Sequence, residues 1–202
     1  LSDTVGFELN EKDNKKITKD SVIDLKYEVC IDEKTALQKI EELSKAKTIS
    51  IAEATNHEGV LTGLAAGGDK DCYWFPAEAI KTPKVLSGLN KLFSAKGPGV
   101  AVHDGKKSYR FLSKGGILLQ NITLDITLAQ YLLDGSDSSE PLSEILSKYT
   151  AMHFPDGIEK EGQLNFDSEE DHLHESIVHA KAISKLHERL SKAMKDDGLT
   201  QL

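Results

Sequence analysis

Three strand-like stretches follow one another with almost no chain between them, and this spacing limits the possible folds more than any other feature. Residues 48–55, 59–66 and 71–75 are short, apolar or β-branched runs. Asn56-His57-Glu58-Gly59 and Gly67-Gly68-Asp69 separate them, with glycines suited to positive φ. Connections this short join antiparallel neighbours, because a parallel crossover needs a dozen residues or more. The chain therefore begins its core as an antiparallel meander.

Elements of a different rhythm flank the meander. Tyr27-Glu28-Val29-Cys30-Ile31 alternates as a strand does, and Asp32 is placed to cap a helix over residues 33–46, whose stripe is Ala36, Leu37, Ile40 and Leu43. Pro83 opens a helix running to residue 95, with Val85, Leu86, Leu89, Leu92 and Phe93 inward. Residues 100–102 form a short strand, 106–114 a helix ended by Gly115-Gly116, and 122–126 another strand. Helices are predicted over residues 127–133 and 141–149, separated by a polar loop over 134–140. Residues 151–167 read as irregular. Ser168, followed by Glu169, Glu170 and Asp171, caps a long last helix whose stripe is Leu173, Ile177, Ala180, Ile183, Leu186, Leu190 and Met194. A meander followed by strand–helix alternation predicts an α/β domain with a mixed central sheet and helices on both faces.

Length and composition bound the rest. A chain of 202 residues, 39% hydrophobic and 29% charged, can bury a sizeable core in one domain. Residues 1–24 are polar and lysine-rich and read as a flexible leader, leaving 25–202 as the folded domain. The net charge of −8 argues against strong autonomous DNA binding, since phosphate recognition favours basic surfaces. Cys30 and Cys72 lie far apart and read as reduced core thiols of a cytoplasmic protein. No apolar run approaches the roughly 18 residues of a membrane span. With Leu1 in place of an initiator Met, the sequence reads as a fragment of a longer chain.

Several strings, in order, resemble the proofreading 3′→5′ exonuclease domain of bacterial family A DNA polymerases. Lys47-Thr48-Ile49-Ser50-Ile51-Ala52-Glu53-Ala54-Thr55 resembles the strand that carries an Asp-x-Glu motif in that family. Val102-His103-Asp104-Gly105-Lys106-Lys107-Ser108-Tyr109 resembles a His-Asn-x-Lys-x-Asp segment. Leu124-Asp125-Ile126-Thr127-Leu128-Ala129-Gln130-Tyr131-Leu132-Leu133, the stretch from Pro141 to Tyr149, and the helix around 180–189 resemble the segments that follow. The resemblance implies a ribonuclease-H-like fold, a polymerase domain in the same chain, and chemistry with two Mg²⁺ or Mn²⁺ ions.

The residues that would hold those ions are altered. One ion aims the attacking hydroxide and the other stabilises the leaving oxygen, so both need several carboxylate oxygens on rigid supports. Carried over from the family, the ligand positions fall on Ala52, Ala54, Ser108 and His179, none of them acidic. Glu53 stands between the two alanines, and strand alternation turns it to the other face. The expected reading is a catalytically inactive module of a DNA-directed DNA polymerase, with no metal, weak DNA binding and a spacer role beside the polymerase domain. One rival is an active nuclease, polymerase-attached or like ribonuclease D, in which Glu53, Asp104 or Asp125 converge as replacement acids. Another is a free-standing interaction module.

Two further constellations have more than one reading. His172, Glu175 and His179 share a helix face at metal-ligand spacing, although the same pattern suits a solvated polar face. Lys106, Lys107 and Arg110 form a basic cluster that could contact a phosphate backbone or simply face solvent. Tyr73-Trp74-Phe75 reads as strand core rather than a base-stacking platform.

Overall fold

A computed structural model of the protein describes residues 21–68, 70–135, 140–158 and 168–199. Residues 1–20 of the predicted leader, Asp69 of the second turn, parts of the two predicted loops (136–139 and 159–167) and residues 200–202 lie outside the described residues. In chain order the elements are β1 (Glu28–Val29), α1 (Glu33–Ser44), β2 (Thr48–Thr55), β3 (Leu61–Gly67), β4 (Cys72–Pro76), α2 (Ala77–Ile80), α3 (Pro83–Leu92), β5 (Gly99–Val102), α4 (Gly105–Lys114), β6 (Ile122–Asp125), α5 (Ile126–Asp134), α6 (Leu142–Thr150) and α7 (Glu169–Asp196). One sheet holds all the strands in the order β1-β4-β3-β2-β5-β6. β2, β3 and β4 form the predicted antiparallel meander. β1 runs parallel to β4, β5 to β2, and β6 to β5. The sheet is mixed, as expected.

Strand alternation divides the core between the two faces. Ile49, Ile51, Leu64, Phe75, Val100 and Val102 meet α1, α3 and α4 through Ile40, Leu43, Val85, Leu89 and Leu112. On the opposite face Ala52, Ala54, Ala65, Cys72 and Trp74 meet Ile177 and Ala180 of α7. A third cluster joins α5, α6 and the rest of α7 through Ile126, Ala129, Leu142, Ile145, Ile183 and Leu186. Tyr73, Trp74 and Phe75 are all buried, so the strand-core reading of that triplet holds. Cys30 and Cys72 are free, and burial pushes both thiols up to about 12. Among the described residues no helix is long and apolar enough to cross a membrane.

The structure departs from the sequence reading at identifiable places. β3 starts at Leu61 rather than at residue 59. Asn56 Oδ1 accepts the N–H groups of Glu58 and Val60, each at 3.0 Å, and Gly59 takes φ +73°, so the turn extends through Val60. Gly67 and Gly68 do not supply positive φ. Gly67 is instead required by close backbone approach, because a Cβ there would lie 2.2 Å from the Asp71 carbonyl oxygen. α2 was not anticipated, since a single helical turn is too short to show a period. Residues 21–24, assigned to the leader, belong to the packed body: Ile23 is only 3% exposed, and its N–H donates to the His153 carbonyl at 3.0 Å. Asp24 forms an ion pair with Lys181, a lysine buried in the middle of α7. A two-residue apolar patch and one charged partner leave no pattern in sequence.

The sheet face that meets α7 carries the one tryptophan of the chain. Trp74 lies directly on Gly63, where an added Cβ would sit 2.0 Å from its Cζ2 atom. Gly63→Ala should therefore displace the indole and cost about 1–3 kcal/mol, as overpacking of a tight core does. Urea unfolding followed by the emission of Trp74 checks both effects: lower stability and a red-shifted native spectrum are expected, and an unchanged spectrum would show that the indole does not rest there.

Candidate functional site, a crevice closed by side chains

β2 carries the central positions. Ala52 and Ala54 point to one face and are 8% and 4% exposed. Gly63 is paired with Ala54 in the neighbouring strand, and the indole of Trp74 covers it. Ile177 and Ala180 of α7 close the same patch from above, with Tyr27, Val29 and Leu173 packed at its margin. The Tyr27 hydroxyl lies 3.2 Å from His174 Nε2, and the two rings meet edge-on at 5.8 Å. Small side chains on the strands let α7 lie close to the sheet, and the space between is hydrocarbon.

Glu53 turns to the other face, as alternation requires. Its Oε2 accepts a hydrogen bond from the buried Ser108 hydroxyl of α4 at 2.9 Å. Burial raises the Glu53 carboxyl above the ordinary carboxylate range, while hydrogen bonds from its own backbone and from Ser108, and the charges of Lys107 and His179, partly offset that rise. The four positions that the resemblance implies as ligands therefore lie on both faces of the sheet at β2 and on the helices packed there. Ala52 and Ala54 lie beneath α7, Ser108 is bonded to the residue between them, and His179 is within electrostatic reach of that same residue. His179 Nε2 is also 3.9 Å from Glu175 Oε1, and its ring is 5.5 Å from that of Phe154.

The remaining candidate acids are engaged elsewhere. Asp104 Oδ1 accepts the Lys107 N–H at 2.9 Å and caps α4. Asp125 holds two helix starts together: Oδ2 accepts the Gly105 N–H at 2.8 Å, and Oδ1 accepts the Leu128 N–H at 3.1 Å. Glu175 and His179 of the His172–Glu175–His179 face lie 3.9 Å apart, and among the described residues no group of three or more His, Cys, Asp or Glu side chains is arranged to hold a metal ion. Lys106, Lys107 and Arg110 lie exposed on the outer face of α4, with the Arg110 guanidinium over the Phe111 ring at 4.8 Å.

The residues present do not fit the pair of divalent ions that the resemblance implies. Hard cations take several carboxylate or carbonyl oxygens. At the positions the resemblance implies stand two methyl groups packed with an indole and an isoleucine, a hydroxyl already donating to Glu53, and an imidazole. The plug formed by Trp74 was not foreseen. Its signal in the sequence was Gly63, since a glycine inside a strand often marks close approach by another group.

Comparison with known proteins agrees with this architecture. The family model described as "DNA polymerase I, ribonuclease H-like domain" matches residues 48–156, more than half of the chain. No curated protein matches the chain in sequence. Among solved structures, the Pol1 POL domain of M. smegmatis, in complex with DNA primer-template and dNTP, superposes with a TM-score of 0.69 at 20% identity, covering 87% of this chain and 29% of that one. The Nibbler EXO domain of Aedes aegypti gives 0.65 at 10% identity, covering 90% of this chain and 92% of that one. RNase D of Escherichia coli, an exoribonuclease, gives 0.66 at 13% identity, covering 86% of this chain and 46% of that one. At such identities the superpositions show a shared fold, and this chain spans less than a third of the Pol1 chain. The family match, together with the mixed sheet, shows that the chain belongs to the DNA polymerase I ribonuclease-H-like domain family, the 3′→5′ exonuclease-like fold.

Proposed function

We propose that this domain is a catalytically silent exonuclease-like module of a DNA polymerase I-type protein, acting in DNA replication and repair as a rigid spacer beside a polymerase domain of the same chain. The observation that carries the silent reading is the pair of alanines sealed beneath Trp74, Ile177 and Ala180 where ion ligands would stand. The family match and the likeness to the Pol1 chain support the polymerase setting. The two buried, free thiols suit the reducing cytoplasm. The acidic balance of the chain supports weak rather than tight DNA binding. The rival use of Glu53, Asp104 and Asp125 as replacement ligands is disfavoured, because their oxygens already accept hydrogen bonds from Ser108 and from helix N–H groups.

Incubating the chain with 5′-labelled single-stranded DNA tests the reading. No shortening beyond an EDTA control is expected with either Mg²⁺ or Mn²⁺, whereas metal-dependent removal of 3′ nucleotides would overturn it.

The same reading makes Glu53 a structural group. Its folded pKa is raised, so the folded state holds the proton more tightly than the unfolded chain does, and stability falls as pH rises from the ordinary value of 4.5 through the folded pKa. Glu53→Gln keeps an acceptor for Ser108 and removes the buried charge. The variant should melt above the parent at pH near 8 by roughly 2–4 °C, the shift that about 1 kcal/mol produces in a chain of this length. The difference should vanish toward pH 4. A lower melting temperature at pH 8 would show that the charged form of Glu53 is needed.

A further inference from the structure

A cleft of about 570 Å³ opens between the start of α7 and the end of β4. Tyr27, Trp74 and Leu173 form its apolar wall, and Glu78, Glu169, Glu170 and Lys81 line its charged side. Its size is in the range of sites that enclose a small ligand or one anchoring side chain. Glu169 and Glu170 stand in the first turn of α7 and Glu78 in that of α2, so the helix dipoles account for an acid at each start. They do not account for three carboxylates around one cleft with a single lysine against them. All three acids are exposed, and among the described residues none takes part in a salt bridge or a side-chain hydrogen bond.

A second, independent observation comes from the apolar wall. Trp74 is only 5% exposed, yet among the described residues nothing accepts a hydrogen bond from its indole N–H. A buried indole ordinarily finds an acceptor, because a donor left unmade in the interior is costly. Here the donor belongs to a residue of the cleft wall, where an occupant can supply the missing oxygen.

These features restrict the occupant. Three carboxylates against one ammonium repel a phosphate chain, so nucleic acid does not suit the cleft. A bare metal ion does not suit it either, because among the described residues no group of three acids or histidines is arranged to hold one. A simple amine brings charge but no acceptor for the indole. An arginine within a polypeptide brings both. Its guanidinium has five N–H donors for carboxylates and a flat face that packs on aromatic rings, and the peptide units beside it carry carbonyl oxygens.

We propose that this cleft docks a partner polypeptide by one arginine, with the guanidinium among Glu78, Glu169 and Glu170, the aliphatic stem along Tyr27 and Leu173, and a backbone carbonyl on the Trp74 indole N–H. The net charge of −8 on the whole chain favours approach of a basic partner. The inference rests on the cleft alone and not on the polymerase setting or on nuclease chemistry.

Because Trp74 is the one tryptophan of the chain, its indole N–H gives a single side-chain signal in a proton–nitrogen correlation spectrum. Titrating the full chain with N-acetyl-arginine methylamide should shift that signal saturably. Two related probes separate the parts of the proposal. N-acetyl-citrulline methylamide keeps the carbonyls without the charge, and agmatine keeps the guanidinium without the carbonyls; each should bind about tenfold more weakly or worse. Glu78→Gln and the double variant E169Q/E170Q, on opposite sides of the cleft, should each weaken binding of the arginine probe by a similar factor while the rest of the spectrum stays that of the folded parent. Lys81→Ala should tighten it. Glu41→Gln, on α1 and outside the cleft, should leave it as it was. The proposal fails if the arginine probe leaves the indole signal unmoved, if citrulline or agmatine derivatives bind as well as the arginine probe, or if Glu78→Gln and E169Q/E170Q bind as the parent does.

Discussion

The contact between α7 and the small-residue face of the sheet decides what this domain can do. Ala52, Ala54, Gly63 and Ala65 present almost no side chain, so Ile177, Ala180 and the Trp74 indole pack down onto the strands. A carboxylate at position 52 or 54 would have to shed its hydration beneath that layer without a cation or donor to receive it, at a cost of several kcal/mol. Small residues and tight helix packing thus support each other. The helix fits because the strands are bare, and the strands stay bare because the helix leaves no room for polar groups.

The chemistry around the crevice follows the same logic. Glu53 remains beside the family positions, yet it faces α4 and is held by Ser108, with its proton favoured by burial. Asp104 and Asp125 act as helix caps, and Asp125 ties the starts of α4 and α5 to one another. Acids that could have served as ligands are therefore parts of the frame. On the other side of the sheet, Lys106, Lys107 and Arg110 of α4 lie exposed and take part in no salt bridge among the described residues.

Much of the fold was legible because periodicity is a local property. The alternation in β2, the apolar run of β4, the stripes of α1, α3 and α7, and the caps at Asp32 and Ser168 each occupy a short window of sequence. What escaped was non-local or too short to repeat. α2 is one turn, Ile23 reaches the core beside an isolated bridge between Val22 and His153, and Lys181 is buried with Asp24 reaching it from far along the chain. At the site, the turn of Glu53 to the opposite face could be read from strand alternation. The plug could not, because it depends on Trp74 crossing from β4 to Gly63 in β3.

Mn²⁺ titration of the chain near neutral pH, with free ion followed by electron paramagnetic resonance, probes the sealed crevice most directly. With alanines beneath an indole and no carboxylate facing them, no saturable uptake should occur up to millimolar Mn²⁺. Uptake of two ions per chain at micromolar concentration, abolished by substitutions lining the α7–β2 contact, would show that the crevice opens and that hydrocarbon does not close it.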